Sequence, residues 1–317
     1  MNRGAGGSDS RPEAIKAVPI RHWGRWIASV VILYIFVALV YSLAGNKNLQ
    51  WNVVGDYLFR PIILRAALLT LELTVVAMVV GAIGGTLLAV LRLSKNYVLS
   101  GLSWFYIWFF RGTPVYVQIV IWSFFGIMYP KFFIGLPFTG LALGGWDTHR
   151  VIGGMVAAVL ALGLNEAAYA AELVRAGIIA VDRGQSEAAE SLGMSFPLTM
   201  RRIVLPQAMR VIIPPMGNET ISMLKTSALV AVTGQVLELF TEVNHLYSQN
   251  FKIMPLLIVA SIWYIFFTTV LTIGQHYLER YFGRGFGANE AESAEKRALK
   301  RLHQRGADVH EPGNWDV

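Results

Sequence analysis

The segment EAAESLGMSFPLTMRRIVLP, from Glu187 to Pro206, lies between two long apolar stretches of a 317-residue chain. It joins a run of alanine and glutamate to a glycine, a basic turn and a proline. Upstream, Asp182 is suited to cap a helix, with Gln185 three positions later as in a capping box. Gly193 stands where a left-handed residue would end that helix. The pattern predicts a short helix of about three turns outside the apolar stretches.

The second half of this segment predicts another amphipathic helix. Ser195 is a suitable N-cap residue, and basic and apolar side chains follow it as far as Ile203. Proline lacks a backbone donor and clashes with the preceding turn of a helix. Pro214 and Pro215 are therefore expected to break the second helix and to start the next apolar one.

The composition of the chain favours a bilayer as its solvent. Hydrophobic residues make up 55% of the sequence, charged residues only 15%, and the mean hydropathy is +0.50. The net charge of +7 comes largely from lysines and arginines beside apolar runs, which is typical of a membrane surface rather than of nucleic-acid binding. No partner nucleic acid is expected. The absence of cysteine excludes disulfides and thiolate metal sites.

Six apolar runs have roughly the length of about 20 residues that is needed to cross a bilayer. They are residues 24–44, 66–91, 115–129, 151–174, 216–235 and 255–278. In the second run, Gly81, Gly84 and Gly85 have a spacing that allows close helix contact. The tryptophan-rich stretch 98–110 is expected to be a helix at the membrane interface, followed by a turn in which Arg111 meets the cytoplasmic headgroups.

Positive residues indicate the orientation of the spans. They concentrate before the first run, after the second, around Glu187 and after the last run, and are sparser in the other connections. By the positive-inside rule, both termini and the Glu187 segment are predicted to be cytoplasmic. A cleaved signal peptide is the alternative for the first run, because residues 42–44 are small enough for a peptidase, but the run is long for that role.

The spacing within the Glu187 segment matches a known family. The pattern Glu-Ala-Ala, three residues, Gly, nine residues, Ile, one residue, Leu-Pro resembles the cytoplasmic loop of permease subunits of ATP-binding-cassette (ABC) importers. Three further stretches resemble the branch of the family that imports polar amino acids: FFRGTPVYVQ (109–118), NEAAYAAELVRAGI (165–178) and LKTSALVAV (224–232).

The resemblance implies an all-α integral membrane protein with six transmembrane helices and the type I, methionine-importer-like permease fold. It divides the chain into a cytoplasmic tail (1–23), an extra N-terminal anchor (24–45), a permease domain (64–282) with a docking loop (182–212), and a charged cytoplasmic tail (285–317). The expected location is the bacterial inner membrane.

The resemblance also implies partners. The expected ones are a separate ABC ATPase, an extracellular solute-binding protein and a second permease subunit, with a polar amino acid as cargo. ATP and Mg²⁺ would bind the ATPase, and no cofactor is expected on this chain, which lacks a GxxxxGK[ST] motif. The residues implied in ATPase docking are Glu187, Ala188, Ala189, Leu192, Gly193, Ile203, Leu205 and Pro206.

Polar residues inside the apolar runs indicate a pathway. An ionisable group near the bilayer centre costs roughly 2.5–3.5 kcal/mol, so it usually faces a partner or a cavity. The candidates share helical faces: Asn218, Ser222, Lys225 and Thr226 on the fifth run, and Asn165 and Tyr169 on the fourth. Lys225 either receives the carboxylate of a passing amino acid or pairs with Glu219 or Glu166 and only holds the helices together.

Two other classes of protein fit the sequence less well. A secondary transporter commonly carries inverted repeats in a longer chain, which six spans and a docking-type loop argue against. A membrane enzyme would need catalytic residues, and the sequence shows no nucleophile and base pair and no paired carboxylates in a supporting context. The six histidines have no metal-ligand spacing, so no metal site is predicted.

Overall fold

The computed structural model describes residues 23–135 and 142–282. The predicted cytoplasmic tails therefore lie outside the described residues, apart from Trp23. The chain divides into two compact units, residues 1–50 and 51–317. In the first, helix α1 (Trp23–Ala44) has no buried residue and is apolar on all sides, as expected for a helix surrounded by lipid.

The second unit consists mainly of helices. They are α2 (Trp51–Leu58), α3 (Pro61–Arg92), α4 (Tyr97–Gly112), α5 (Val115–Ser123), α6 (Phe125–Met128), α7 (Thr148–Val151), α8 (Gly154–Ile179), α9 (Arg183–Ser191), α10 (Phe196–Thr199), α11 (Leu205–Thr226), α12 (Leu239–Asn250) and α13 (Ile253–Phe282). A π-helical turn (Met200–Val204) precedes α11, and a 3₁₀ helix (Ser227–Val232) follows it.

Four helices in the described part of the chain are long and apolar enough to cross a membrane: α1, α3, α8 and α13. The third predicted run is divided at Phe124 into α5 and α6. The fifth predicted run corresponds to the end of α11 and the 3₁₀ helix, and the left-handed Gly234 follows it. Six apolar segments are thus helical, although two of them are interrupted.

Helices α3 and α8 form the central pair, and glycine permits their close contact. A Cβ on Gly84 would lie 3.0 Å from Ala167 Cβ, and one on Gly85 would lie 2.5 Å from Ala170 Cβ and 2.8 Å from the backbone nitrogen of Ala171. In a membrane, where helices gain little from burying apolar surface, such small residues allow the backbones to approach. The expectation of close contact from the glycine spacing is confirmed.

Replacing Gly85 with valine is expected to separate α3 from α8. The new side chain meets backbone atoms, which cannot rotate away as a side chain could. The free energy of unfolding should therefore fall by more than the ~1–3 kcal/mol typical of overpacking. The melting temperature of the purified protein in detergent measures the effect. Gly101→Val on α4 is the control, since a Cβ there has nothing within 4 Å. Equal melting temperatures for the two variants would contradict this packing.

Helix α4 packs beside two spans, which corrects the expectation of a separate interfacial helix. Ser103 Oγ donates to Leu88 O on α3 (2.7 Å), and the Tyr106 hydroxyl donates to Leu164 O on α8 (2.9 Å). The end of α4 therefore reaches the middle of α8. The Arg111 guanidinium lies beside α8, 5.0 Å from the centre of the Tyr169 ring. Tryptophans alone could not distinguish the two placements, because Trp104 and Trp108 are exposed in either.

Helix α11 continues through Pro214 and Pro215, so the predicted break is wrong. The two prolines remove the backbone donors that would bond to Arg210 O and Val211 O one turn earlier. Gln275 on α13 donates from Nε2 to Pro214 O (2.6 Å), and its amide lies against Gly217. This tertiary contact, which the local sequence does not reveal, accompanies the uninterrupted helix.

Two features were not predicted. Strands β1 (Lys131–Gly135) and β2 (Ala142–Asp147) form an antiparallel hairpin between α6 and α7, in an otherwise helical fold. The fully buried Glu238 caps α12, and its carboxylate accepts hydrogen bonds from Thr70 on α3 and Tyr264 on α13. Glu238 thereby joins three helices at one point.

Candidate functional site

A cavity of about 630 Å³ opens between the α4–α5 turn, α8 and α11. The sequence brings polar groups to it from three places: the turn after Phe110, the middle of α8 and the second half of α11. The polar and charged residues of its lining are Arg111, Thr113, Asn165, Glu166, Tyr169, Glu219, Ser222 and Thr226. Such a polar cavity among apolar helices is suited to a small polar molecule.

The turn at one side of the cavity is held by two side-chain amides. Gln118, which is 4% exposed, donates from Nε2 to Phe110 O (3.0 Å) and to Thr113 Oγ1 (2.7 Å). Asn165 Nδ2 donates to the same Phe110 oxygen (3.0 Å) and to Gln118 Oε1 (3.2 Å). Asn165 therefore positions the turn that carries Arg111, in addition to lining the cavity.

The ionisable groups of the cavity, apart from the Tyr169 hydroxyl, are two carboxyl groups and one guanidinium. Glu166 is 4% exposed, and its Oε1 has no hydrogen-bond partner in the described part of the chain. The backbone of Gly81 lies directly against its side chain, because a Cβ at Gly81 would overlap Glu166 Cγ. The Arg111 guanidinium lies 5.0 Å from the centre of the Tyr169 ring. Neither Arg111 nor Glu219 forms a salt bridge within residues 23–135 and 142–282.

The predicted pathway residues are only partly brought together. Asn165, Tyr169, Ser222 and Thr226 line the cavity, whereas Asn218 and Lys225 are exposed on α11 outside its lining. Lys225 lies in the last turn of α11, where a cation is favoured by the helix dipole. The alternative, a pairing of Lys225 with Glu166 or Glu219, is absent among the salt bridges of the described residues. The pathway role of Asn218 and Lys225 stays a prediction.

Sequence reasoning missed three charged residues of the lining. Glu219 precedes Ser222 by three positions, so helical spacing alone could have placed it on the same face. Glu166 follows Asn165, but the sequence suggests it only as a partner of Lys225. The sequence places Arg111 at the membrane surface, and only the packing of α4 against α8 brings it into the cavity lining.

The Glu187 segment begins with α9, and the two ends of this helix match the predicted signals in part. Asp182 Oδ1 accepts from Gly184 N (2.6 Å), which confirms the N-cap. The Gln185 side chain does not complete a capping box and instead accepts a hydrogen bond from Gln207 Nε2 (3.4 Å). Gly193 has φ +75°, so the predicted left-handed stop is confirmed.

The backbone bonds after α9 form a Schellman motif. Gly193 N donates to Glu190 O (2.9 Å), and Met194 N donates to Ala189 O (3.1 Å). Ser195 occupies the N-cap position of α10 but makes no capping bond with its side chain. The chain then passes through the π-helical turn, which contains Ile203, into Leu205 and Pro206 at the start of α11.

The predicted docking residues differ in their exposure to solvent. Leu192 is 82% exposed, and Glu187, Ala188 and Gly193 are exposed as well. Ala189, which the resemblance also implies in docking, is buried and packs inside the segment. An exposed leucine beside a small residue is suited to insertion into a groove of another protein.

A continuous path joins this segment to the cavity. Gln207 on α11 bonds to Gln185 on α9, and also to Ile203 O (2.9 Å) in the π-helical turn. Helix α11 then runs without a break from Leu205 to the cavity residues Glu219 and Ser222. Because an α-helix is stiff, a displacement of α9 would be carried along α11 for about 25 Å to the cavity.

A family model, described as binding-protein-dependent transport system inner membrane component, matches residues 81–284. The match contains α8, α9, α11 and both sites described above. The chain belongs to this family. It is a multi-pass inner-membrane permease, a transport subunit of an ABC importer, and hydrolysis of ATP resides on a separate subunit. The secondary-transporter alternative is wrong.

Relatives of this permease cover most of its length. The arginine transport system permease protein ArgU of Corynebacterium glutamicum is 45% identical over 286 residues, which are 90% of this chain and 88% of that protein. The putative glutamine transport system permease protein GlnP of Rickettsia bellii is 35% identical over 64% of this chain and 85% of its own.

Solved structures agree with the fold. An amino acid ABC transporter crystallised with histidines shares 33% identity and a TM-score of 0.58, covering 70% of this permease and 94% of that chain. The inward-facing MetNI methionine ABC transporter has a TM-score of 0.54 at 17% identity, over 70% of this permease and 96% of that chain, and shows the fold alone. The predicted type I, methionine-importer-like fold is confirmed. Membership of the family implies a solute-binding protein and an ATPase as partners.

Proposed function

We propose that this permease carries a polar amino acid with a cationic side chain, and that arginine is the first cargo to test. The cavity supports this proposal. It contains one guanidinium, Arg111, and two carboxylates, Glu166 and Glu219. A basic amino acid carries the complementary set, which is one carboxylate and two cationic groups.

The unpaired Glu166 oxygen is the observation that carries the proposal. A buried carboxylate without a partner is costly, and a bound ammonium or guanidinium group would compensate it. Arg111 is suited to the α-carboxylate because its planar guanidinium binds carboxylates through two parallel hydrogen bonds. Ser222, Thr226 and Asn165 offer neutral hydrogen-bonding groups between the charges. The 45% identity to an arginine transport permease agrees with this choice.

The test is uptake of labelled arginine by the complete transporter in proteoliposomes, with unlabelled competitors. Lysine should compete, whereas citrulline, which keeps the shape of arginine but lacks its charge, should compete at least about tenfold less well, a difference of roughly 1.4 kcal/mol. If citrulline or glutamine competes as well as lysine, the carboxylates do not select a cation. The cargo would then be a neutral polar amino acid.

The docking of the ATPase is assigned in this proposal to α9 and the turn after it. The exposed Leu192, next to the left-handed Gly193, is the apolar contact that this surface offers. Nucleotide-driven movement of the ATPase would then displace α9, and Gln207 and α11 would carry the movement to the cavity. ATP and Mg²⁺ bind the ATPase and not this chain.

The assembly and orientation complete the proposal. The cavity is open on one side in a single subunit, so a second permease chain, the same or similar, is expected to close it; cross-linking of the purified transporter would show two permeases per complex. Both termini are placed in the cytoplasm together with α9. Tags at each end should be digested only in inside-out vesicles.

A further inference from the structure

A groove of about 530 Å³ lies beside the cavity, along α4 and α8. The two concavities share the lining residues Arg111, Gly112 and Tyr169, so they adjoin at this point. The far end of the groove lies at Arg92, the last residue of α3. In the orientation proposed above, this end faces the cytoplasm.

The groove is long for a site that holds one small group. Arg92 is fixed beside Ser100, because its Nη1 donates to Ser100 Oγ (2.9 Å) and that hydroxyl donates to Arg92 O (3.1 Å). From Ser100 to Arg111, helix α4 rises by about 16 Å. A lipid phosphate at the cytoplasmic surface would sit beside Arg92 and leave Arg111 unbound. The geometry is that of a passage with a cationic group near each end.

The walls between the two arginines hold a polar molecule only weakly. Trp104 and Trp108 stack with ring centroids 6.2 Å apart and form one side. Glu172 lies on the other side, and its carboxylate is already bonded to Arg175 (2.6 Å). Transport needs sites that bind strongly enough to admit a molecule and weakly enough to release it. Two separated guanidinium groups with weaker walls between them satisfy that requirement.

We propose that this groove is the route by which the cargo leaves the cavity toward the cytoplasm, its α-carboxylate passing from Arg111 to Arg92. The inference rests on the proposed function, since it requires an amino acid in the cavity. It adds an exit path and assigns Arg92, Trp104 and Trp108 to it. The three lining residues that the groove shares with the cavity favour the cargo over a lipid headgroup as its occupant.

Cysteine labelling tests the route, because the chain contains no natural cysteine. Trp108→Cys places a thiol in the groove, and Phe109→Cys is the matched control. The two positions differ by one residue in depth but by about 100° around α4. Both side chains are exposed, at 58% and 44%, and only Trp108 lines the groove. Trp104→Cys, one turn nearer the cytoplasm, replaces Trp108→Cys if that variant does not assemble.

The complete transporter, without nucleotide, is treated from the cytoplasmic side with a charged, membrane-impermeant thiol reagent. The groove thiol is expected to react at least about tenfold faster than the Phe109→Cys thiol. Saturating arginine should slow the reaction, and the adduct should stop uptake. The ratio of rates, the protection and the loss of uptake are measured on the same vesicles.

Three results would overturn the route. A groove thiol as unreactive as the control would mean that lipid or a protein surface fills the groove. A reactive groove thiol whose adduct leaves uptake unchanged would mean that the cargo passes elsewhere. A reactive thiol that no transported amino acid protects would also contradict the proposal. If the unlabelled variants take up glutamine but not arginine, glutamine replaces arginine in the assay, so the cargo assignment fails separately from the route.

Discussion

Arginine uptake is expected to fall at least ~30-fold in the Glu166→Gln permease, which corresponds to a loss of about 2 kcal/mol. Glutamine has nearly the same shape as glutamate, so the contact with Gly81 is kept and only the charge is removed. A buried carboxylate that pairs with the cargo should be worth this much or more, because water cannot replace it. Uptake by proteoliposomes that contain equal amounts of assembled transporter measures the effect.

The matched control for Glu166 is Glu72→Gln on α3. Glu72 is exposed and does not line the cavity, so its neutralisation should leave uptake within about twofold of the parent protein. The Glu166→Gln permease should also discriminate less between the two amino acids, so that citrulline competes with arginine more nearly equally than in the parent protein. Unchanged arginine uptake by a normally assembled Glu166→Gln transporter would exclude Glu166 as a cargo contact.

Binding of the ATPase is expected to be lost when Gly193 is replaced by valine. Gly193 has φ +75°, which lies in the left-handed region of backbone conformation. This conformation costs a residue with a side chain roughly 1–2 kcal/mol, and a β-branched residue such as valine more. A Cβ at this position meets no atom within 4 Å, so the variant changes backbone preference without a clash. We expect α9 to end differently and Leu192 to turn away from the ATPase. Co-purification with the ATPase should fall at least tenfold, a loss of about 1.4 kcal/mol.

The Gly193→Asn variant tests whether ATPase binding needs the left-handed backbone conformation or the glycine residue itself. Asparagine adopts left-handed backbone angles more readily than other residues that carry a side chain, so this variant should keep most of the ATPase. The permease alone should remain folded in both variants, because a Cβ at position 193 meets no atom within 4 Å, and its melting temperature checks this. Normal ATPase binding and coupled uptake by Gly193→Val would refute the mechanical role of this turn.

Local sequence signals predicted local features. The stop at Gly193 follows from a backbone angle that glycine adopts without strain, and the close α3–α8 contact follows from the spacing of Gly84 and Gly85. The family pattern predicted the fold class. Each of these depends on residues that are near in sequence or on a pattern shared by a family.

The remaining features depend on contacts between distant segments. Pro214 and Pro215 remain within a helix, and the amide that bonds to Pro214 O belongs to Gln275 on another helix. Arg111 reaches the cavity because α4 returns along α3 and α8, which tryptophans typical of an interface do not indicate. The sequence therefore predicted Ser222 and Thr226, which share one helical face, as residues of the cavity lining. It did not predict Arg111 as a lining residue.

The central claim is that movement of a separate ATPase reaches the cavity through α9 and α11. Uptake by proteoliposomes that contain permease and binding protein, with and without the ATPase and Mg-ATP, tests it most directly. We expect accumulation of arginine only when the ATPase hydrolyses ATP. Uptake of arginine by the permease without the ATPase would contradict the account.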